Sequence, residues 1–131
     1  MFDRVLSVLG VSGQDYTPKD VAAAVAGLYF HMISADGIIK SEEMDEFNKL
    51  LSDQFELSEQ DLSEIIEKGV QEDRSSPSIF PFTAILNREY DKETRLQIIN
   101  RLEQLAEVDG VVHPLEGDML DHVRRLLNVD G

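Results

Sequence analysis

Apolar residues recur at three- and four-residue spacings along most of the chain, and nowhere in the strict alternation of a half-buried strand. The stretch "TPKDVAAAVAGLYFHMISA" opens with Thr17 as N-cap, Pro18 at the first helical position and Asp20 at the third. Val21, Val25, Leu28, Tyr29, Met32 and Ile33 then form one apolar stripe. A second helix is predicted over "SEEMDEFNKLLSDQF", capped by Ser41, with Met44, Phe47, Leu50 and Leu51 inside. A third starts at Ser58, turns Leu62, Ile65 and Ile66 inward, and has Gly69 near its end. Ser75, Ser76, Pro77 and Pro81 then break the pattern. Ile79, Phe80 and Phe82 make this segment too apolar for a free linker, so it reads as a connector pinned to the core, leading into a short helix around 83–88. Asp91 caps a long helix with Leu96, Ile99, Leu102 and Leu105 inside, and Pro114 lies in the first turn of the last one. The prediction is an all-α, compact bundle of six or seven short helices forming a single domain over 1–131.

The two halves of this pattern repeat. Asp36, Gly37, Glu43 and Asp45 recur 73 residues later as Asp109, Gly110, Glu116 and Asp118. Val25, Tyr29 and Met32 fall on Ile98, Leu102 and Leu105, and Phe47 and Leu50 on Leu120 and Val123. Each copy is a helix, an Asp-Gly corner, a β-branched pair and a second helix with Glu in its first turn. A helix-corner-helix unit has been duplicated, with halves at about 18–56 and 91–128.

The corners hold the candidate chemistry. Gly37 and Gly110 suit the left-handed turn that ends a helix, and Ile39 and Val112 can pack between the helices. Glu43 and Glu116 sit where the helix dipole favours an anion, whereas Asp36 and Asp109 sit where it disfavours one by up to ~1 kcal/mol. Either a local side-chain-to-backbone bond or a cation must offset that cost. A twelve-residue EF-hand loop needs oxygen ligands at its first and third positions. Asp36, Gly37, Ile39 and Glu43 match its later positions, but Met32 and Leu105 occupy the first, which argues against a calcium sensor of that design. Carboxylates of Asp36 and Glu43 at one corner, and of Asp109 and Glu116 at the other, still suit a hard divalent cation: Ca²⁺, Mg²⁺ or Mn²⁺.

Charge narrows the partners. Twelve Lys and Arg against 26 Asp and Glu give a formal net charge of −14. Such a surface serves solubility, repels nucleic acid and anionic membranes, and attracts cations and basic proteins. Cysteine is absent, so disulfides, thiolate metal sites and cysteine nucleophiles are excluded. Asp3 and Arg4 interrupt the start of the chain, which does not read as a signal peptide, and no apolar run reaches the ~20 residues of a membrane span. The expectation is a soluble, cytoplasmic protein.

No catalytic grouping is visible. His31 lies in the first apolar helix and reads as structural, His113 as a cap for the last helix and His122 as solvent-facing. Gly10 and Gly13 are too isolated for a phosphate loop, and no metalloprotease or serine-hydrolase motif occurs. Paired carboxylates can support hydrolysis, but acids are so frequent here that a pair carries little weight. The expectation is not an enzyme.

The two corners "SADGIIKSEE" and "EVDGVVHPLE", each after an apolar helix in an acidic all-α chain, resemble the TerB-like family. That is the tellurite-resistance protein B group, to which the N-terminal domain of the membrane-anchored co-chaperone DjlA is related. The resemblance spans about 18–128, and the second copy is looser, with Val108 for Ala35 and Leu115 for Glu42. It implies a helical bundle of bacterial stress-response type with an acidic metal-binding face made by Asp36, Glu43, Asp109 and Glu116. It implies no enzymatic activity, and tellurite resistance itself does not transfer with the fold. Two functional expectations follow. One is a cation-binding interaction module; the other is a metal-independent module that recruits a basic partner.

Overall fold

The computed structural model describes residues 16–35, 37, 39–75, 78–108, 110 and 112–129. Asp36 and Asp109, half of the expected metal set, lie outside the described residues, as do Gly10, Gly13, Ser76 and Pro77. Six helices appear among the described residues: α1 (Pro18–Ile33), α2 (Ser41–Phe55), α3 (Glu59–Ser75), α4 (Phe80–Glu89), α5 (Lys92–Glu107) and α6 (Pro114–Leu126). No strand is present among these residues, and the architecture is an all-α bundle.

The helix starts follow local chemistry. Thr17 accepts from the Asp20 N–H at 3.1 Å while Asp20 accepts from the Thr17 N–H at 3.0 Å, a reciprocal capping box. Asp91 accepts from the Thr94 N–H at 2.8 Å, and the Ser58 hydroxyl accepts from the Asp61 N–H at 3.2 Å. The cap of α2 is Lys40 rather than Ser41, whose hydroxyl instead donates to Glu42 at 2.9 Å. Helix α4 begins at Phe80, three residues before the predicted start, because Pro81 fits the first turn of a helix.

Helix α1 is the axis of the bundle, packing against α2, α3, α4, α5 and α6. Thirteen of its sixteen residues are buried, so the single predicted stripe is in fact a helix covered on nearly every side. Small residues make this possible. A Cβ added at Gly69 would lie 2.8 Å from both the Ala23 carbonyl oxygen and the Gly27 nitrogen, so α1 and α3 cross with their backbones almost touching. Gly69 therefore sits inside α3 as a packing residue and does not mark its end. On another side, a Cβ on Gly27 would meet the Phe82 ring at 2.6 Å, which fixes α4 against α1. Tyr29 is fully buried, its hydroxyl donating to Gln54 at 2.8 Å, and burial pushes that hydroxyl far above its ordinary pKa.

Three further expectations are corrected by burial. Leu96 is 44% exposed, and α5 turns Ile98, Ile99, Leu102 and Leu105 inward instead. Ile39 and Val112 are 39% and 41% exposed, so neither is sealed between helices. Of the three apolar residues predicted to face inward from α3, only Ile65 is buried; Leu62 and Ile66 are half-buried at the edge of the core.

Candidate functional site

The two corners are built alike. Gly37 has φ +82° and Gly110 φ +87°, the left-handed region that glycine enters without a steric penalty. The Gly37 N–H donates to the Ser34 carbonyl at 3.0 Å and the Gly110 N–H to the Glu107 carbonyl at 2.8 Å. The paired inner positions of the repeat are equally buried: Val25 with Ile98, Tyr29 with Leu102, and Met32 with Leu105 are all at 0% exposure.

Glu43 and Glu116 occupy the same place in the two units. Each lies in the first turn of its helix and is 5% exposed. Glu43 Oε1 accepts from the Lys40 N–H at 3.0 Å, and Glu116 Oε1 from the His113 N–H at 2.9 Å. Each carboxylate thus closes the reciprocal half of a capping box, where the helix dipole favours a negative charge. The expected structural role of His113 is met: its Nδ1 accepts from the Leu115 N–H at 3.2 Å.

The donor type at the corners fits a hard cation, since a carboxylate that accepts one backbone bond keeps further lone pairs for a metal. Among the described residues no group of three or more His, Asp or Glu side chains is gathered to hold a metal. A corner site in this chain would thus draw on Asp36 and Asp109 together with the buried glutamates.

Two other features were not singled out by the sequence. His31 Nδ1 lies 2.7 Å from Asp73 Oδ1, joining the last turn of α1 to α3. His31 also shares a shallow depression with Ser78, Ile79, Asp118, Met119 and His122, so the last turn of α1 lies near the middle of α6. The second feature is a groove of about 940 Å³ running along α3, with Asn48 of α2 among its lining residues. Leu62, Ile66 and Val70 supply its apolar lining, and Glu59 and Glu67 line it as well. Their four-residue spacing was legible, but spacing alone cannot separate a groove residue from a core one.

A duplicated helix-corner-helix unit, closed by two intervening helices and bearing a buried capping glutamate at each corner, defines the class of domain. The chain belongs to the TerB family: the family model described as tellurite resistance protein TerB matches residues 22–131. No curated protein and no solved structure matches it. No helix among the described residues is long and apolar enough to cross a membrane.

Proposed function

We propose that this chain is a non-catalytic TerB-family domain of bacterial stress-response type, which binds divalent cations at its two corners and acts as an interaction module in the cytoplasm. The observation that carries the cation reading is the identity of the corners: matched left-handed glycines followed by matched buried glutamates. Capping alone needs a glutamate at the third helical position but no aspartate before the glycine. Asp36 and Asp109 go beyond that need, at a helix end whose dipole disfavours them. A Ca²⁺, Mg²⁺ or Mn²⁺ ion held by Asp36 with Glu43, and by Asp109 with Glu116, offsets that cost.

The test is a cation titration of chelator-stripped protein by calorimetry and thermal melting. The expected result is saturable binding that raises the melting temperature and disappears in the Asp36→Asn/Asp109→Asn double variant. Saturation at a hundredfold excess over Kd corresponds to about 2.7 kcal/mol of added stability. No binding at millimolar cation would reduce the corners to helix capping.

A metal-independent module that recruits a basic partner is the second reading, and the distribution of charge favours it. Helices α2 and α3 hold eleven acids against three bases, a net −8 of the chain's −14. The two readings are compatible, because a cation at the corner before α2 can stiffen the helix that the partner meets.

A further inference from the structure

We infer that the groove between α2 and α3 is the docking site for a basic amphipathic helix of a partner protein. The inference rests on reading the domain as an interaction module and is independent of whether the corners hold cations.

The sequence of α3 contains more apolar residues than its core contact uses. Ile65 and Gly69 are buried and Gly69 meets α1, while Leu62, Ile66 and Val70 follow one another at four-residue steps along an adjacent strip. That strip is half-buried and lines the groove, with Asn48 contributed by α2. From Leu62 to Val70 the strip spans roughly 12 Å along the helix. This matches the anchors that a second helix places at its i, i+4 and i+7 positions when it lies in a groove.

Charge decides what kind of helix fits. Glu59 and Glu67 line the groove, with uncharged Ser63 and Gln71 among the remaining residues. Arg74 lines the groove too, its guanidinium 5.7 Å from the Phe30 ring centroid, which leaves two glutamates against one base in the lining; Lys68 is bonded to Asp20 at 2.7 Å. A helix with Lys or Arg flanking its apolar face would meet the glutamates with opposite charge. A second copy of this chain would bring two faces of net −8 together, and a nucleic acid would face the same repulsion.

The test uses the full chain and two synthetic 18-residue probes of the same composition. One is a Leu/Lys peptide whose leucines share one helical face; the other has the same residues scrambled so that they do not. Binding is read by fluorescence anisotropy at low and high salt, and the site by backbone amide shifts. The expected result is at least tenfold tighter binding of the amphipathic peptide, weakening with salt, with shifts centred on Leu62, Ile66 and Val70. Ile66→Gln and Glu67→Lys should each weaken binding at least fivefold; Glu67 is exposed, so its variant keeps the melting temperature and guards against misfolding. Equal affinity for both peptides, or no binding of either, would overturn the proposal. Binding that ignores both variants and shifts residues elsewhere would remove this groove but leave the interaction module standing on another surface. A dimer that Ile66→Gln dissociates, or nuclear Overhauser contacts from residues 1–15 into the groove, would assign the strip to a second copy or to the chain itself, and would likewise overturn it.

Discussion

The first and second helix-corner-helix units share a corner but differ in what surrounds it. At the corner, φ of the glycine, burial of the glutamate and its bond to the cap nitrogen all agree between copies. Along the preceding helix the copies diverge. Ala22, Ala23, Ala24, Gly27 and Leu28 of α1 are buried, whereas their counterparts 73 residues on are Arg95, Leu96, Gln97, Asn100 and Arg101 of α5. The inner stripe is shared; the outer face is not. Small residues let α3 and α4 close over the outer face of α1, while α5 keeps a polar face toward solvent. Duplicated units can therefore hold one local geometry fixed while packing reassigns one copy to the centre and the other to the rim.

Exchanging residues between the copies should break this comparison most severely. Gly27→Asn installs the residue that α5 carries at the equivalent position, against the Phe82 ring and the Gly69 carbonyl. Overpacking and a buried, unpartnered amide together should cost about 3 kcal/mol or more. The reciprocal Asn100→Gly sits at an exposed helical position and should cost only about 0.5 kcal/mol, from helix propensity. Chemical denaturation of the two variants measures both; similar costs would mean that α1 is not the crowded axis.

Much of this architecture was legible in the residues, for identifiable reasons. Thr17, Asp91 and Pro114 declare helix starts through bonds local to the chain, and the repeat declared the matched corners. What was missed depends on contacts distant in sequence. Alanine is as good a helix former on a surface as inside, so Ala22, Ala23 and Ala24 did not announce that α1 is covered on both faces. Gly69 resembles a helix terminator by propensity, and only the approach of Gly27 reveals it as a packing residue. Leu96 satisfied the helical period of α5, but its counterpart in α1 is Ala23, against which α3 packs; no helix among the described residues closes over α5 in that way, and Leu96 is 44% exposed. At the site, the roles of Glu43 and Glu116 as first-turn glutamates were readable, whereas the exposure of Ile39 and Val112 was not, because it depends on how far each pair of helices closes.

The start of α1 offers the next largest effect. Asp20 is 6% exposed; burial alone would raise its pKa, but the bond from Lys68 and those from Thr17 outweigh burial and hold it below the ordinary value of 3.8. A carboxyl depressed in the folded state contributes stability above its unfolded pKa, and that contribution is lost as pH falls through the lower, folded value. Stability should therefore decline below about pH 4, the ordinary aspartate range. Lys68→Met removes the 2.7 Å bond and should cost about 1–3 kcal/mol at pH 7 by leaving a buried acceptor short of a donor. The counterpart of Asp20 in α5 is Glu93, which is exposed, so Glu93→Gln should leave the acid limb of the stability profile nearly unchanged. Urea melts from pH 3 to 7 on both variants would show whether the buried copy alone controls that limb.

The corners should respond equally. Chain neighbours aside, a Cβ on Gly37 or Gly110 would meet no atom within 4 Å among the described residues, so the cost expected for alanine is that of the left-handed backbone. About 1 kcal/mol at each is expected. Thermal melts that differ by more than a few tenths of a kcal/mol would show that the matched φ angles conceal different surroundings.

The smallest effect carries the most functional information. Glu43→Gln and Glu116→Gln keep an oxygen able to accept the cap N–H but remove the charge that the helix dipole favours, for an expected 0.3–1 kcal/mol each. With chelator present the two costs should match, because the two bonds match at 3.0 and 2.9 Å. Millimolar Ca²⁺, Mg²⁺ or Mn²⁺ then separates the roles of these residues. A carboxylate that only caps a helix gives a cost independent of the cation, slightly reduced by screening. A carboxylate that also ligates gives a cost that grows with cation concentration, because the ion stabilises the parent and not the variant. Growth at both corners would support two equivalent cation sites. Growth at one would show that the looser "EVDGVVHPLE" copy kept the fold of the corner and lost its chemistry.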